Sequence, residues 1–503
     1  MPDGVLPPTL RSVIEYQASV APDAAFLVDP ETGMVTTYAA LHRSVQDLAG
    51  ELAQAGIAAG DVVSTMLPAG PAAVQAFLGV MFGGHIVSPI NLLAQDAQLA
   101  HVLAHSGTRM VFAAPEHVAR LEEIAQRVAP AVRIRVTNPG DLAPAASREA
   151  PAATVTPDDT ALLMYTSGTT GLPKGVLLTH RNLLAAGRAI AAVQALTAAD
   201  RVLSALPLYH INGQCIATIA PLVSGGSIVL PSRFSVSRWW SLVEEYRPTW
   251  LNLVPTMIAY LCNGPDLTPL QRGACRHLRF ARSASAPLPP EQHRAFEQRF
   301  GVTIIEAMGL TETASVAFTN PLDPAARKLG SPGLPLAVEA RVVTPDGREL
   351  PTGEAGEIAL RGPPVMRGYF RAPEQTAQAV DAQGWFATGD LGYRDADGYY
   401  FITGRLKELI IKGGENIAPR EIDEALLAHP AVLEAAAVGI PDAEYGQEIL
   451  ACVVLKAGAQ CTEADLRAHC LRLLGRYKSP KELRFVADLP KGPSGKVQRM
   501  KLL

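Results

Sequence analysis

Cysteine is scarce in this chain, and its scarcity removes two architectures at once. Six cysteines (Cys215, Cys262, Cys275, Cys452, Cys461 and Cys470) among 503 residues are too few for a disulfide scaffold. None form a CxxC pair, so a structural zinc site is not expected either. An excess of one charge is also missing. Lys and Arg total 44 against 48 for Asp and Glu, a formal net charge of -4. So even a balance argues against a surface that coats nucleic acid. Long apolar runs are absent too. The most apolar stretch, residues 72–90, is broken by Gln75, Gly83, Gly84, His85 and Pro89. It falls short of the ~20 clean apolar residues that a membrane span needs. The first residues carry neither a basic nor an apolar leader, so a cytoplasmic protein that avoids membranes is expected. What the chain has is apolar bulk. Hydrophobic residues make up 48 % and charged residues 18 %, the composition of a protein with a sizeable core. At roughly 150 residues per domain the length suggests about three domains.

The order of patterns predicts an α/β protein. Leu41, Val45, Leu48, Ala49, Leu52 and Ala55 recur at helical spacing, and Gly56 then stops the helix. Short apolar strands are expected at residues 62–67, 86–90 and 110–113, with helices at 71–81 and 98–105 between them. This alternation argues for parallel sheets with helices on both faces. Residues 138–157, rich in Pro, Ala and Ser, read as a loose connection between two such lobes. Alternation resumes with strands near 160–166, 201–206, 227–230, 250–254, 278–281 and 303–305. From about Lys328 the texture becomes rich in Gly and Pro, with short strands, and predicts a β-rich subdomain. A compact α+β tail follows a boundary near Gly404–Lys407. The expected domains are therefore residues 1–404 and 405–503. No internal repeat is visible.

Six segments have the residues for chemistry. Residues 165–175 (YTSGTTGLPKG) follow a strand; their glycines let backbone approach a ligand, and Thr166, Ser167, Thr169, Thr170 and Lys174 offer donors to phosphate oxygens. The order is not that of a Walker A loop, and a plain Gly/Ser/Thr surface loop remains an alternative. Met308-Gly309-Leu310-Thr311-Glu312-Thr313 follows an apolar strand. A carboxylate flanked by hydroxyls suits Mg²⁺, although alone it also suits a solvated helix cap. Thr388-Gly389-Asp390 and Gly404-Arg405-Leu406-Lys407 are weak singly, as ordinary turn sequences; an Asp of this kind can accept bonds from ribose hydroxyls. Lys412-Gly413-Gly414 suits a backbone close to a ligand, or a tight turn. Residues 490–499 place Lys491, Lys496 and Arg499 on a Gly/Pro loop, which is either a frayed basic tail or a mobile catalytic loop.

In this order and spacing, the six segments resemble the adenylate-forming superfamily of acyl-CoA synthetases, adenylation domains and luciferases. The resemblance runs from about Thr37 to Arg499. It implies a large N-terminal domain of two α/β lobes plus a β-barrel-like subdomain, and a small C-terminal domain on a hinge. It implies two half-reactions: a carboxylate attacks the α-phosphate of ATP, giving acyl-AMP and pyrophosphate, and a thiol then displaces AMP. Carried over by motif, Thr166, Ser167, Gly168, Thr169, Thr170 and Lys174 would hold the β- and γ-phosphates. Thr311 would contact the α-phosphate, and Glu312 would ligate Mg²⁺. Asp390 and Arg405 would bind ribose. Ser285, Ala286 and Pro287, with Met308 and Gly309, would wall the adenine. Lys496 would be the catalytic lysine, Lys407 the hinge, and Lys412, Gly413 and Gly414 would line the path of the CoA thiol. Met308 stands where the family commonly has an aromatic, and a thioether also packs on a ring.

His210, Asn212 and Gln214 lie in a segment resembling the one that gates and lines the acyl pocket, where His210 is either a catalytic gate beside the carboxylate or a core histidine. Residues 282–287 resemble the opposite wall. Polar Asn212, Gln214 and Arg282 favour a small or polar acid: a sulfonated, dicarboxylic or carnitine-like one. An aryl or medium-chain acid is the alternative. CoA is expected over a carrier protein as the thiol, because no carrier segment is attached. Lys478 would add charge for CoA phosphates, or belong to a solvated basic turn. Monomer and homodimer both remain open.

Overall fold

The computed structural model describes residues 7–138, 154–166, 173–492 and 497–503. Two large sheets build the N-terminal domain. The first has seven strands. It runs parallel from Arg133–Val136 through Met110–Ala113, Val62–Met66 and Ile86–Pro89 to Thr160–Thr166. Two antiparallel strands, Lys174–Thr179 and Gly368–Tyr369, complete it. The second has nine strands, with a parallel centre of Ser227–Val229, Arg201–Ser204, Trp250–Leu253, Phe280–Ser283 and Ile304–Met308. Strands covered by helices on both faces should be apolar throughout rather than alternating. Met110–Ala113 and Trp250–Leu253 are accordingly buried at every position.

Helix ends follow their local chemistry. Pro71 occupies the first turn of Pro71–Phe82, where a missing N–H costs nothing. Thr179 caps His180–Val193: its hydroxyl accepts from the Asn182 N–H, and the Asn182 side chain accepts from the Thr179 N–H at 2.8 Å. The Gly/Pro-rich segment forms a four-stranded antiparallel sheet of Glu339–Val343, Gly356–Arg361, Phe386–Arg394 and Tyr400–Arg405. The small domain has its own apolar cores, drawn from residues between Ile410 and Leu502. Among the described residues no helix is long and apolar enough to cross a membrane.

Three features depart from the pattern-based expectation. The Pro/Ala/Ser-rich segment does not divide the lobes, because Ile86–Pro89 before it pairs with Thr160–Thr166 after it. Lys174 and Gly175, the end of the segment read as a ligand-binding or surface loop, begin the strand Lys174–Thr179, which forms a hairpin with Thr160–Thr166. Residues Asn212–Ile219 form a π-helix, a form that local periodicity does not signal and that is frequent at functional sites.

Glu306, in the strand Ile304–Met308, holds the neighbouring loop. Its Oε1 accepts from the Leu288 N–H at 3.1 Å, while Oε2 is buried with no partner among the described residues. Burial raises this carboxyl from its usual 4.5 to about 7, against the opposing pull of the Leu288 N–H and Arg420. The folded state therefore holds a proton that the unfolded state has released. The stability it contributes is present at low pH and is lost as pH rises from 4.5 through about 7. Glu306→Gln should raise the melting temperature by several degrees at pH 8 and by much less at pH 5. Thermal melts at the two pH values check the difference.

Candidate active site

A cleft of about 260 Å³ opens at the carboxyl ends of the neighbouring parallel strands Phe280–Ser283 and Ile304–Met308. Open α/β sheets bind ligands at such ends. Ser285, Ala286 and Pro287 form one wall, and Met308 and Gly309 the other. Ser285 is held at φ +75°, a conformation that non-glycine residues adopt only when their surroundings enforce it. Gly309 is required by space: a Cβ there would lie 2.1 Å from the Ser315 carbonyl.

Asp390 and Arg405 also line the cleft. They are register partners in the antiparallel sheet, and Arg405 Nε donates to Asp390 Oδ1 at 2.7 Å. Burial works against the Arg405 charge, but Asp390 and Glu408 outweigh it, and the guanidinium stays above its usual range. The small domain supplies the facing side through Leu433, Ala435, Leu489, Val497 and Arg499, among others. Arg499, read from sequence only as part of the basic 490–499 loop, lines the cleft. It links Glu408, at 3.2 Å, to Asp423, and its Nη1 donates to the Ala437 carbonyl at 2.9 Å.

A second group gathers around Tyr369, which sequence reasoning also missed. Thr166 and Lys174 are register partners at the mouth of the hairpin. The Lys174 ammonium lies 5.2 Å from the centre of the Tyr369 ring. The Tyr369 hydroxyl donates to Glu312 Oε1 at 3.1 Å. Glu312 sits with Thr311 in the short turn Thr311–Thr313, held by the Met366 N–H on its carbonyl at 2.7 Å. Burial raises the Glu312 carboxyl, while Tyr369 and Arg405 pull the other way. Tyr369 thus joins the lysine and the carboxylate that the sequence placed in separate motifs. Ser167, Gly168, Thr169 and Thr170 lie outside the described residues, as does Lys496.

Behind Ser285 the wall is polar. The Asn212 amide donates to Ser285 Oγ at 3.1 Å, and the Asn252 amide donates to Asn212 Oδ1 at 3.0 Å. The Asn212 N–H donates to His210 Nδ1 at 3.3 Å, which leaves the ring proton on Nε2. Desolvation pushes His210 down to about 4, so it is neutral at pH 7. Gln214 is fully buried, with its amide on the Leu208 carbonyl. Arg282 is 1 % exposed in the same sheet.

The residues expected near CoA stand apart from the cleft in this arrangement. Lys412 is buried inside the small domain, with its ammonium on Glu448 at 2.9 Å and between the rings of Tyr445 and Tyr477. Gly413 packs beside those two tyrosines, and Gly414 follows it in the turn between the strands Ile410–Lys412 and Glu415–Ile417. Lys478 pairs with Glu421 at 2.8 Å. Lys407 lies in the short turn Leu406–Glu408, which leads from the large domain's last strand to the small domain.

The comparisons agree with this layout. Residues 14–370 match the model of the AMP-binding enzyme family, and residues 421–496 match that of the AMP-binding enzyme C-terminal domain. Sulfoacetate–CoA ligase from Cupriavidus necator is 55 % identical over 500 residues, covering 98 % of this chain and 97 % of that protein. Oxalate–CoA ligase from Arabidopsis thaliana is 35 % identical over 504 residues, covering 98 % of this chain and 97 % of that one. ATP-bound MatB from Rhodopseudomonas palustris superposes with a TM-score of 0.91 at 32 % identity, over 99 % of this chain and 98 % of that structure. Apo MatB gives 0.79 over the same coverage. With the interdomain cleft, both family matches and relatives aligned from end to end, the chain belongs to the AMP-binding enzyme family.

Proposed function

We propose that this chain is an AMP-forming acid–CoA ligase that activates a small, polar carboxylic acid. Sulfoacetate and short dicarboxylates are the class that fits best. The observation that carries the reading is the character of the cleft. Its nucleotide side has Asp390, Arg405 and the Ser285–Pro287 and Met308–Gly309 walls. Ser285 on its wall is backed by the buried polar chain Asn212–Asn252, where a fatty-acid pocket would need apolar surface.

In the first half-reaction the carboxylate of the acid attacks the α-phosphate of ATP and pyrophosphate leaves. Both reactants are anions, so the site must neutralise charge as they approach. Lys174 and Thr166 serve the β- and γ-phosphates, and Thr311 the α-phosphate. Asp390 and Arg405 take the ribose. Neutral His210 stands beside the acid as a gate, and its Nε2 proton is available as a hydrogen-bond donor. Glu312, a hard oxygen donor beside the Thr311 hydroxyl, fits Mg²⁺, which is characteristically held by one or two carboxylates together with substrate phosphates. When bound, that ion would offset the triphosphate charge.

Lys496 is assigned to the acyl carboxylate and phosphate oxygens. Val497, next to it in sequence, lines the cleft, and the better superposition on the ATP-bound relative than on its apo form supports the same arrangement. The second half-reaction, attack by the CoA thiol, needs the acyl face cleared. Rotation of residues 405–503 about Lys407 would withdraw Lys496 and bring Gly413 and Gly414 toward the site.

Pyrophosphate release measured over a panel of acids, with and without CoA, tests the reading. Sulfoacetate, malonate or oxalate should give the highest kcat/KM, and thioester should form only with CoA. Highest kcat/KM with long-chain fatty acids would overturn the substrate class, and no pyrophosphate with any acid would overturn the activity. Lys496→Ala should lower adenylate formation by roughly a hundredfold or more, as loss of one charge-stabilising donor does. It should largely spare thioester formation from a preformed adenylate. Single-turnover assays of the two steps check this, and equal loss in both would remove the two-arrangement scheme.

A further inference from the structure

Arg282 is a buried cation without a counter-charge among the described residues. It lies within the strand Phe280–Ser283 at 1 % exposure. Among the described residues its Nε and Nη1 have no hydrogen-bond acceptor, and no carboxylate pairs with it. The neighbouring strand places Asn252 at the same register position, and Asn252 in turn stands opposite Ser204. Side chains at one register position of a parallel pair share a face of the sheet. This is the face on which Asn252 reaches Asn212, and Asn212 reaches Ser285 at the cleft wall. Asn252 Oδ1 is likewise buried with no donor. Two unmet polar groups therefore stand side by side, one strand apart, behind the acyl side of the cleft.

An unpaired guanidinium in a protein interior is a large penalty unless an anion meets it. Burial lowers Arg282 to about 10, which still leaves it charged at neutral pH. The substrate carboxylate is a poor candidate for its partner. That group loses its charge when it becomes the acyl-phosphate anhydride, and the cations that attend it belong to the phosphate side. A fixed positive charge at Arg282 calls for an anion that lasts through both half-reactions.

We propose that Arg282 binds a second, permanently ionised group of the acid, so that the substrate class is a short acid bearing a sulfonate or a second carboxylate. This rests on the acid–CoA ligase reading above and adds to it a charge requirement and the residue that imposes it. The planar guanidinium fork matches two oxygens of either group. Asn252 stands where it can steady the arginine. Acids with a single anionic group, such as acetate or propionate, would leave the guanidinium unpaired in the closed site, and a site built for a polar partner rejects an analogue lacking it. Asn212, Gln214 and Arg282 are all buried, and Asn212 stands directly behind Ser285, which suits a short acid.

The test uses the full-length protein and its Arg282→Met and Arg282→Lys variants. Pyrophosphate release is measured at saturating ATP with sulfoacetate, malonate, acetate and propionate, together with melting temperatures of the ligand-free proteins. In Arg282→Met the ratio of kcat/KM for sulfoacetate to that for acetate should fall by roughly a hundredfold, the scale of one charged hydrogen-bonding pair. Most of the change should come from KM for the dianion. Arg282→Lys should recover part of it. The ligand-free Arg282→Met protein should melt at the same temperature as the wild type or higher, since the change removes an unmet charge. An unaltered ratio would overturn the assignment, as would equal loss with all four acids, or a melting temperature lowered by many degrees, which would mean that the guanidinium already has partners inside the protein. If the wild type takes a dianionic acid and Arg282→Met takes it equally well, the ligase reading stands and Arg282 is excluded. If the wild type releases pyrophosphate with no acid at all, the ligase reading itself falls.

Discussion

The pairing of Asp390 with Arg405 is the joint on which the cleft depends. Asp390 is buried at 2 % exposure, and an isolated carboxylate there would be costly, so Arg405 must stay beside it. The pair joins two strands of the large domain at the point where the chain leaves it. Three residues after Arg405, Glu408 meets Arg499, and Arg499 meets Asp423. Ion pairs thus follow one another from the large domain's last sheet into the small domain. Asp390, Arg405, Glu408, Asp423 and Arg499 all line the cleft at the ends of the strands Phe280–Ser283 and Ile304–Met308.

This arrangement gives the proposed nucleotide side and the proposed acid side different characters. The nucleotide side has paired or shared charges: Asp390 with Arg405, and Glu312 with Tyr369 near Lys174. The acid side has a hydrogen-bonded asparagine chain, a neutral histidine and an unmatched arginine. Paired charges suit a ligand that brings its own counter-ions, as a metal–triphosphate does. Unmatched ones suit a ligand that completes them.

The residues that carry local structure were readable from the sequence. The helix stop at Gly56, the helix start at Pro71 and the strand at Met110–Ala113 follow from punctuation and apolar runs. The cleft-lining residues Asp390, Arg405, Met308 and Gly309 stand in short, contiguous motifs, which is why sequence reading picks them out. What was missed depends on distant pairing. The strand Lys174–Thr179 exists because Thr160–Thr166 lies beside it, and no local period announces such a partner. Tyr369 joins Lys174 to Glu312 from a strand added at the edge of the first sheet, far along the chain from both. The π-helix at Asn212–Ile219 has the composition of an ordinary buried helix. Arg282 was picked out as a polar wall residue, but its lack of a counter-ion is a property of its neighbours and only the fold shows it.

The most direct measurement is a crystal structure with a non-hydrolysable mimic of a sulfoacetyl adenylate. The account predicts the adenine between Ser285–Pro287 and Met308–Gly309, the ribose hydroxyls on Asp390, and the sulfonate within hydrogen-bonding distance of Arg282. A nucleotide bound outside the cleft, or a sulfonate turned to solvent with Arg282 still unmatched, would contradict it.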